Sequence, residues 1–169
     1  MPATILSTAR LALRGTEPED FDLLFANIFS DEQVMEHLSG SPLLPDQARA
    51  LFDAAFDHDG TGRKLGVLVE RSTEQVIGYA GHLECLTLGE NDYELGFVLS
   101  RSAWGRGFAT EIGLAQVEYG FGRVKCRRLL AQCTEERCFG IGASKDWHAI
   151  PHRAREARPR HTPPLCSQP

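Results

Sequence analysis

The chain has 169 residues, 42% of them hydrophobic, 24% charged, and a formal net charge of −5. That is one domain's worth of sequence with enough apolar residues for a sizeable core, and it is no basic nucleic-acid binder overall. No run of about 18 apolar residues occurs and the N-terminus has no basic segment followed by an apolar one, so neither a membrane span nor a secretion signal is predicted. A cytoplasmic protein is the expectation. Five cysteines, an odd number without a C-x-x-C pair, fit reduced thiols rather than a disulfide framework.

In chain order, ARLALRGT reads as a strand from its Leu11/Leu13 alternation. The step Pro18-Glu19-Asp20 starts a helix through Phe29 with Leu23, Leu24 and Ile28 inward, and Pro45 to Phe56 is a second helix opened by Pro45-Asp46. KLGVLVER, QVIGYAGHLECL and YELGFVLS follow as three strands separated by polar, Gly-bearing turns, which predicts antiparallel neighbours. Phe108, Ile112, Ala115 and Tyr119 then form one apolar helix face, ended by Gly120 and Gly122. CRRLLAQCT, Cys126 to Thr134, is the next strand; Cys85, Cys126 and Cys133 are read as small buried hydrophobes.

Between the third of those strands and the helix lies ELGFVLSRSAWGRGFATEIG, Glu94 to Gly113. Gly105 and Gly107 let the main chain approach a ligand, and the first N–H groups of the helix have no internal acceptor, so the turn is an anion cradle. Its guest is a phosphate-bearing cofactor. A Walker loop needs Lys after the last glycine, and a dinucleotide fingerprint needs a third glycine where Thr110 stands. Both are excluded.

The stretch resembles the pyrophosphate loop of the GNAT superfamily of N-acetyltransferases, Gln/Arg-x-x-Gly-x-Gly/Ala, with Gly107 and Ala109 on its fourth and sixth positions and Trp104 where Gln or Arg is usual. The wording WGRGFATE is similar to the RimJ/RimL branch. So is STARLALRGTEPEDFDLLFANIFSDEQVMEHL, Ser7 to Leu38, which looks like that branch's opening T-x-R-L-x-L-R, a Pro-Glu-Asp turn and a helix. The resemblance covers roughly residues 7 to 137. It implies an α/β (α+β) fold: a mixed, mostly antiparallel sheet flanked by helices, with a β-α-β cofactor unit.

It also implies acetyl-CoA as co-substrate and an amine-bearing small molecule or protein N-terminus as acceptor, attacked directly. The resemblance puts the general base at Glu94, which shares a strand face with Gly96 and Val98; the competing reading is a solvated carboxylate at a strand's start. Main-chain N–H groups around Val98 and Leu99 would hold the acetyl carbonyl. Amides of Gly105, Gly107, Phe108, Ala109 and Thr110 would bind the diphosphate, with added charge from Arg101 and Arg106, whose competing reading is solvated loop charge. The thiolate's proton donor falls to Cys138 or Ser144 in the absence of any Tyr beyond Tyr119. His82 is read as a core or surface residue, with an acceptor channel as the alternative.

After Thr134 the family rhythm fades, with Cys138 at an expected Asn and Ile141 at an expected Ser. Residues 144–169 hold five prolines and carry five Lys or Arg against two acids, net +3, whereas residues 1–143 carry 13 against 21, net −8. We therefore divide the chain into a GNAT-like domain over 1–143 and an irregular, disordered Arg/Pro-rich tail over 144–169, with the closing helix and strands incomplete. The tail looks like a shifted reading frame or a degenerate terminus. Without the closing strands, the Cys126 to Thr134 strand would lose a neighbour and leave an edge, uncovered at Leu129, Ala131 and Cys133 or at Leu130, through which copies self-associate. His148, His152, His161 and Cys166 are ligand types, but Pro151 breaks their helix, so no metal is expected. The Arg153, Arg155, Arg158 and Arg160 run lacks interleaved aromatics, and the acidic body repels phosphate backbones, so no nucleic-acid partner is expected.

Overall fold

The computed structural model describes residues 2–85, 92–126 and 128–131. Six strands form one sheet in sequence order: β1 (Thr4–Ser7), β2 (Leu11–Arg14), β3 (Leu65–Glu70), β4 (Gln75–Cys85), β5 (Asp92–Leu99) and β6 (Leu129–Leu130). The first five are antiparallel neighbours, and β6 joins β5 in parallel at Tyr93↔Leu129 and Glu94↔Leu130. The expected mixed, mostly antiparallel sheet flanked by helices is present, and so is the β-α-β unit. The expected incomplete closing elements and the 144–169 tail lie outside the described residues.

The helices are α1 (Asp20–Leu24), which runs on as a wider π turn over Phe25–Phe29, then α2 (Glu32–Met35), α3 (Pro45–Ala55) and α4 (Phe108–Tyr119). Asp20 anchors the start of α1: its carboxylate receives both Arg14 Nη atoms at 2.7 and 2.8 Å and the Glu17 amide at 2.7 Å. The Asp20 hydrogen bond is the main cause that raises the Arg14 guanidinium further above its ordinary value. α3 begins with Pro45 at its first turn, and the Gln47 side chain accepts the Leu44 N–H at 3.0 Å.

Two apolar clusters, one on each side of the sheet, hold these layers. Phe21, Leu24, Ile28, Phe29, Phe52 and Phe56 pack on Val67 and Tyr79 on one face. Phe108 and Ile112 of α4 pack on Leu11, Leu13, Leu68, Ile77 and Leu99 on the other. Val67 and Leu68 are neighbours that serve opposite clusters, which explains why β3 reads as an unbroken apolar run rather than an alternation. Each such Phe or Leu contributes about 1.5–3 kcal/mol on burial.

Several expectations need correction. Leu23 is 47% exposed, and Phe21 and Phe29 point inward beside Leu24 and Ile28. Phe21, Leu24 and Ile28 step by three and four residues along one helix face, and Leu23 lies off that stripe. α4 ends at Tyr119 with Gly120 as its C-cap, as expected, but a π turn then continues over Gly120–Val124, and the chain reverses at Lys125, φ 62°. A Cβ at Gly120 would lie 2.8 Å from Leu129 Cδ1 and 3.1 Å from His82 Nε2, so glycine there lets β6 and β4 approach the helix end. Of the positions expected to be bare, Leu129 and Leu130 are buried and Ala131 is exposed. Cys126 is a free, half-buried thiol, and Cys133 lies outside the described residues.

Candidate functional site

The Gly-bearing turn is built as its spacing predicts. β5 ends at Leu99, a 3-10 turn spans Arg101–Ala103, and Gly105 and Gly107 adopt φ of 72° and 79°, a region that L side chains rarely enter. Gly107 is the residue before α4, and no side chain caps the helix there. The first intrahelical bond joins Glu111 N to Gly107 O at 3.2 Å, so the Phe108, Ala109 and Thr110 amides precede it at the positive end of the helix dipole. Trp104, in the family's Gln/Arg position, donates its indole N–H to Leu99 O at 2.8 Å and ties the turn back to the strand it leaves.

Along β5, Glu94 lies opposite Leu83 and Val98 opposite Tyr79, on the sheet face that packs against α1 and α3. Leu99 and Phe97 face α4. Between Glu94 and Val98, a Cβ built at Gly96 meets nothing within 4 Å among the described residues, so this face has room beside the half-buried Glu94.

Ser100 donates its N–H to Ile77 O at 2.9 Å, which points that peptide toward β4. Backbone alternation in an unbroken register then turns the Phe97 and Leu99 main-chain groups to the opposite edge. Val98 O accordingly faces Gly78 of β4. Of the two amides expected at an acetyl carbonyl, the Leu99 N–H is therefore on the outer edge and the Val98 N–H on the β4 side. Among the described residues, β6 covers that outer edge only at Tyr93 and Glu94.

The two arginines flank the turn, and each has a carboxylate. Arg101 reaches Asp31 Oδ2 and Gln33 Oε1, both at 2.8 Å, across a shallow depression of about 340 Å³ lined by Ser30 to Gln33 and Arg101 itself. Asp31 also caps α2 through the Gln33 and Val34 amides at 3.0 and 3.1 Å. Burial works to raise the Asp31 carboxyl, but the Val34 amide and Arg101 hold it below its ordinary value. Arg106 is paired with Glu70, whose carboxyl is lowered chiefly by that hydrogen bond and further by the Thr73 and Ser72 hydroxyls.

Sequence reasoning missed the partners Asp31, Glu70, Arg10 and Glu111. Arg10 and Asp31 stand in the Ser7 to Leu38 stretch and Glu111 in the Glu94 to Gly113 stretch, but no local pattern signals which of them pair across the chain. His82 is buried and its Nε2 bonds Gln116 O at 3.0 Å, which answers the core reading rather than an acceptor channel. Cys138, Ser144 and the tail's His and Arg residues lie outside the described residues.

A family model for the acetyltransferase (GNAT) domain matches residues 10–136. An uncharacterized N-acetyltransferase, p20, of Bacillus licheniformis is 31% identical over 134 residues, 78% of this chain and 74% of that protein. The uncharacterized N-acetyltransferase YnaD of Bacillus subtilis strain 168 is 26% identical over 131 residues, 78% of this chain and 74% of its own. Among solved structures, a GNAT-family acetyltransferase from Bacillus anthracis superposes with a TM-score of 0.65 at 23% identity, covering 78% of this chain and 75% of the other. Spermidine N-acetyltransferase from Vibrio cholerae, solved with CoA and spermine, gives 0.61 at 18% identity over 76% and 74%. No helix among the described residues is long and apolar enough to cross a membrane.

Proposed function

This chain belongs to the acetyltransferase (GNAT) family, and from that premise we propose that it moves acetyl from acetyl-CoA to a primary amine by direct attack. The observation that carries the reading is the uncapped N-terminus of α4 behind Gly105 and Gly107, at the end of the strand that bears Glu94. The Gly105, Gly107, Phe108, Ala109 and Thr110 amides take the diphosphate, where a helix dipole favours negative charge. Arg101 and Arg106 add positive charge on either side, diminished by their own carboxylate partners. The pantetheine arm runs along the outer edge of β5.

A Lys-type amine has a pKa of about 10.4 and an α-amine about 8, so the acceptor reaches the site mostly protonated and must lose a proton to attack. Glu94 takes that proton. Nitrogen then adds to the thioester carbon while the Leu99 N–H supports the oxyanion, with Val98 lining the same strand. The nitrogen gives up its second proton to solvent, collapse breaks the C–S bond, and the CoA thiolate leaves with a proton from solvent or a donor group.

The RimJ/RimL-like opening favours a protein N-terminus as acceptor, and the fold shared with spermidine N-acetyltransferase makes a polyamine the comparison substrate. The test is calorimetric titration with acetyl-CoA and CoA beside an acetylation assay on peptide α-amines and spermidine. Binding that Gly107→Val abolishes, together with amine acetylation, supports the reading. Binding without transfer to any amine would instead identify a cofactor-binding remnant.

A further inference from the structure

The loop that binds the diphosphate in the reading above is held from below by a residue about a hundred positions away. Arg10, between β1 and β2, donates its backbone N–H to Glu111 Oε1 at 2.9 Å and its Nε to Glu111 Oε2 at 2.7 Å. Its Nη1 donates to the Arg106 carbonyl at 2.8 Å, and its guanidinium carbon lies 4.6 Å from the Phe108 ring centre. Thr8 Oγ1 adds a short bond to Glu111 Oε1. Arg106 lies over the same ring, 4.5 Å from its centre, while its own head group is drawn to Glu70. Burial works to raise the Glu111 carboxyl, but the hydrogen bonds from Thr8 and Arg10 keep it below its ordinary value, so the clamp stays charged at neutral pH.

We propose that Arg10 is a positioning residue for cofactor binding, one that orients the Gly107 N–H. The chain of cause runs through one peptide plane. No peptide is cis, so in the Arg106–Gly107 unit the carbonyl and the N–H point in opposite directions. Arg10 draws the Arg106 carbonyl toward the β1–β2 turn, and the Gly107 N–H is thereby aimed away from the protein body. Glu111, one turn along α4, fixes the guanidinium that does this. A Cβ at Gly107 would lie 3.5 Å from Arg10 Nη2, so the guanidinium sits directly against the loop backbone. Without Arg10, the peptide is free to rotate and the cradle loses a preorganised donor, while the pantetheine edge of β5 is untouched.

This inference rests on the acetyl-CoA reading, and the experiment separates the two. Steady-state kinetics are run with acetyl-CoA and with acetylpantetheine, a thioester that lacks the diphosphate. For Arg10→Ala we expect KM for acetyl-CoA to rise roughly tenfold or more, with kcat/KM for acetylpantetheine and KM for the amine changed less than about twofold. Arg10→Lys keeps charge and stem but loses the paired hydrogen bonds, and should fall between; it supplies the measurement if Arg10→Ala does not fold. A general loss of packing would weaken both thioesters equally, and that result overturns the assignment, as does an unchanged acetyl-CoA KM in both variants. If the wild-type protein neither binds nor uses acetyl-CoA, the acetyl-transfer reading itself falls and the clamp with it.

Discussion

In the proposed mechanism Glu94 is the base, on a half-buried strand face with room at Gly96 among the described residues. Replacing it with Gln keeps shape and removes the base. We expect kcat for Glu94→Gln to fall on the order of 10² to 10⁴, with calorimetric acetyl-CoA affinity nearly unchanged. The acidic limb of the wild-type pH–rate profile should also disappear; a variant that retains the wild-type profile removes Glu94 from the mechanism. At this scale the sequence was legible where the signal is short-range. The turn expected at Gly105 and Gly107 is present, and both glycines are in the left-handed region. Arg10 and Glu111 were written in the same motifs, yet no local pattern says that a residue before β2 and another in α4 share two hydrogen bonds.

Among the elements, α4 shows why periodicity alone misjudges a helix. Its apolar face was read from Phe108, Ile112, Ala115 and Tyr119, but the fully buried set includes Gln116, whose side-chain amide has no hydrogen-bond partner among the described residues. An unpaired buried amide costs about 1–3 kcal/mol, so Gln116→Leu, close in volume, should leave stability unchanged or raise it by roughly 1 kcal/mol in urea denaturation. Loss of stability would mean that Gln116 has a polar partner after all.

The Gln116 carbonyl accepts from His82 Nε2, and the His82 ring also stacks on Tyr119 at 5.8 Å. Burial lowers the His82 pKa below its ordinary 6.5, with the Gln116 carbonyl pulling weakly the other way. Below about pH 6.5 the unfolded chain therefore binds a proton that the folded chain resists, and stability falls as pH falls from there toward the folded value. His82→Gln should flatten that part of the pH–stability curve between pH 7 and 5. An unchanged slope would assign it to other groups. β1 and α2 escaped the sequence reading because each has only four residues, too few for either period to register. β3, β4 and β5 were plain because long β-rich runs are bounded by turn residues.

On the scale of the whole molecule, the sheet separates an α1/α3 side, where Glu94 looks out, from an α4 side that ends in the cofactor loop. In the proposed mechanism acceptor and donor would approach β5 from different sides. This division was legible in outline from the order of strand, loop and helix. The acceptor was not, because the loops at Ser39 to Pro45 and Asp57 to Lys64, on which its choice was expected to depend, have a sequence without period.

Since acetyl-CoA would bind the folded chain and not the unfolded one, it should raise thermal stability by mass action. At a hundredfold excess over Kd the gain is about 2.7 kcal/mol. For a domain of this size that corresponds to a Tm increase of roughly 5–10 °C. Wild type and Glu94→Gln should shift alike, since Glu94 acts on the amine. Gly107→Val should not shift, because a branched side chain at φ 79° distorts the turn and blocks the main chain's approach to the diphosphate. Differential scanning fluorimetry on the three proteins, with and without acetyl-CoA, reads this directly. Equal shifts in wild type and Gly107→Val would take the diphosphate away from this loop, and a shift lost in Glu94→Gln would move Glu94 from the acceptor side to the cofactor.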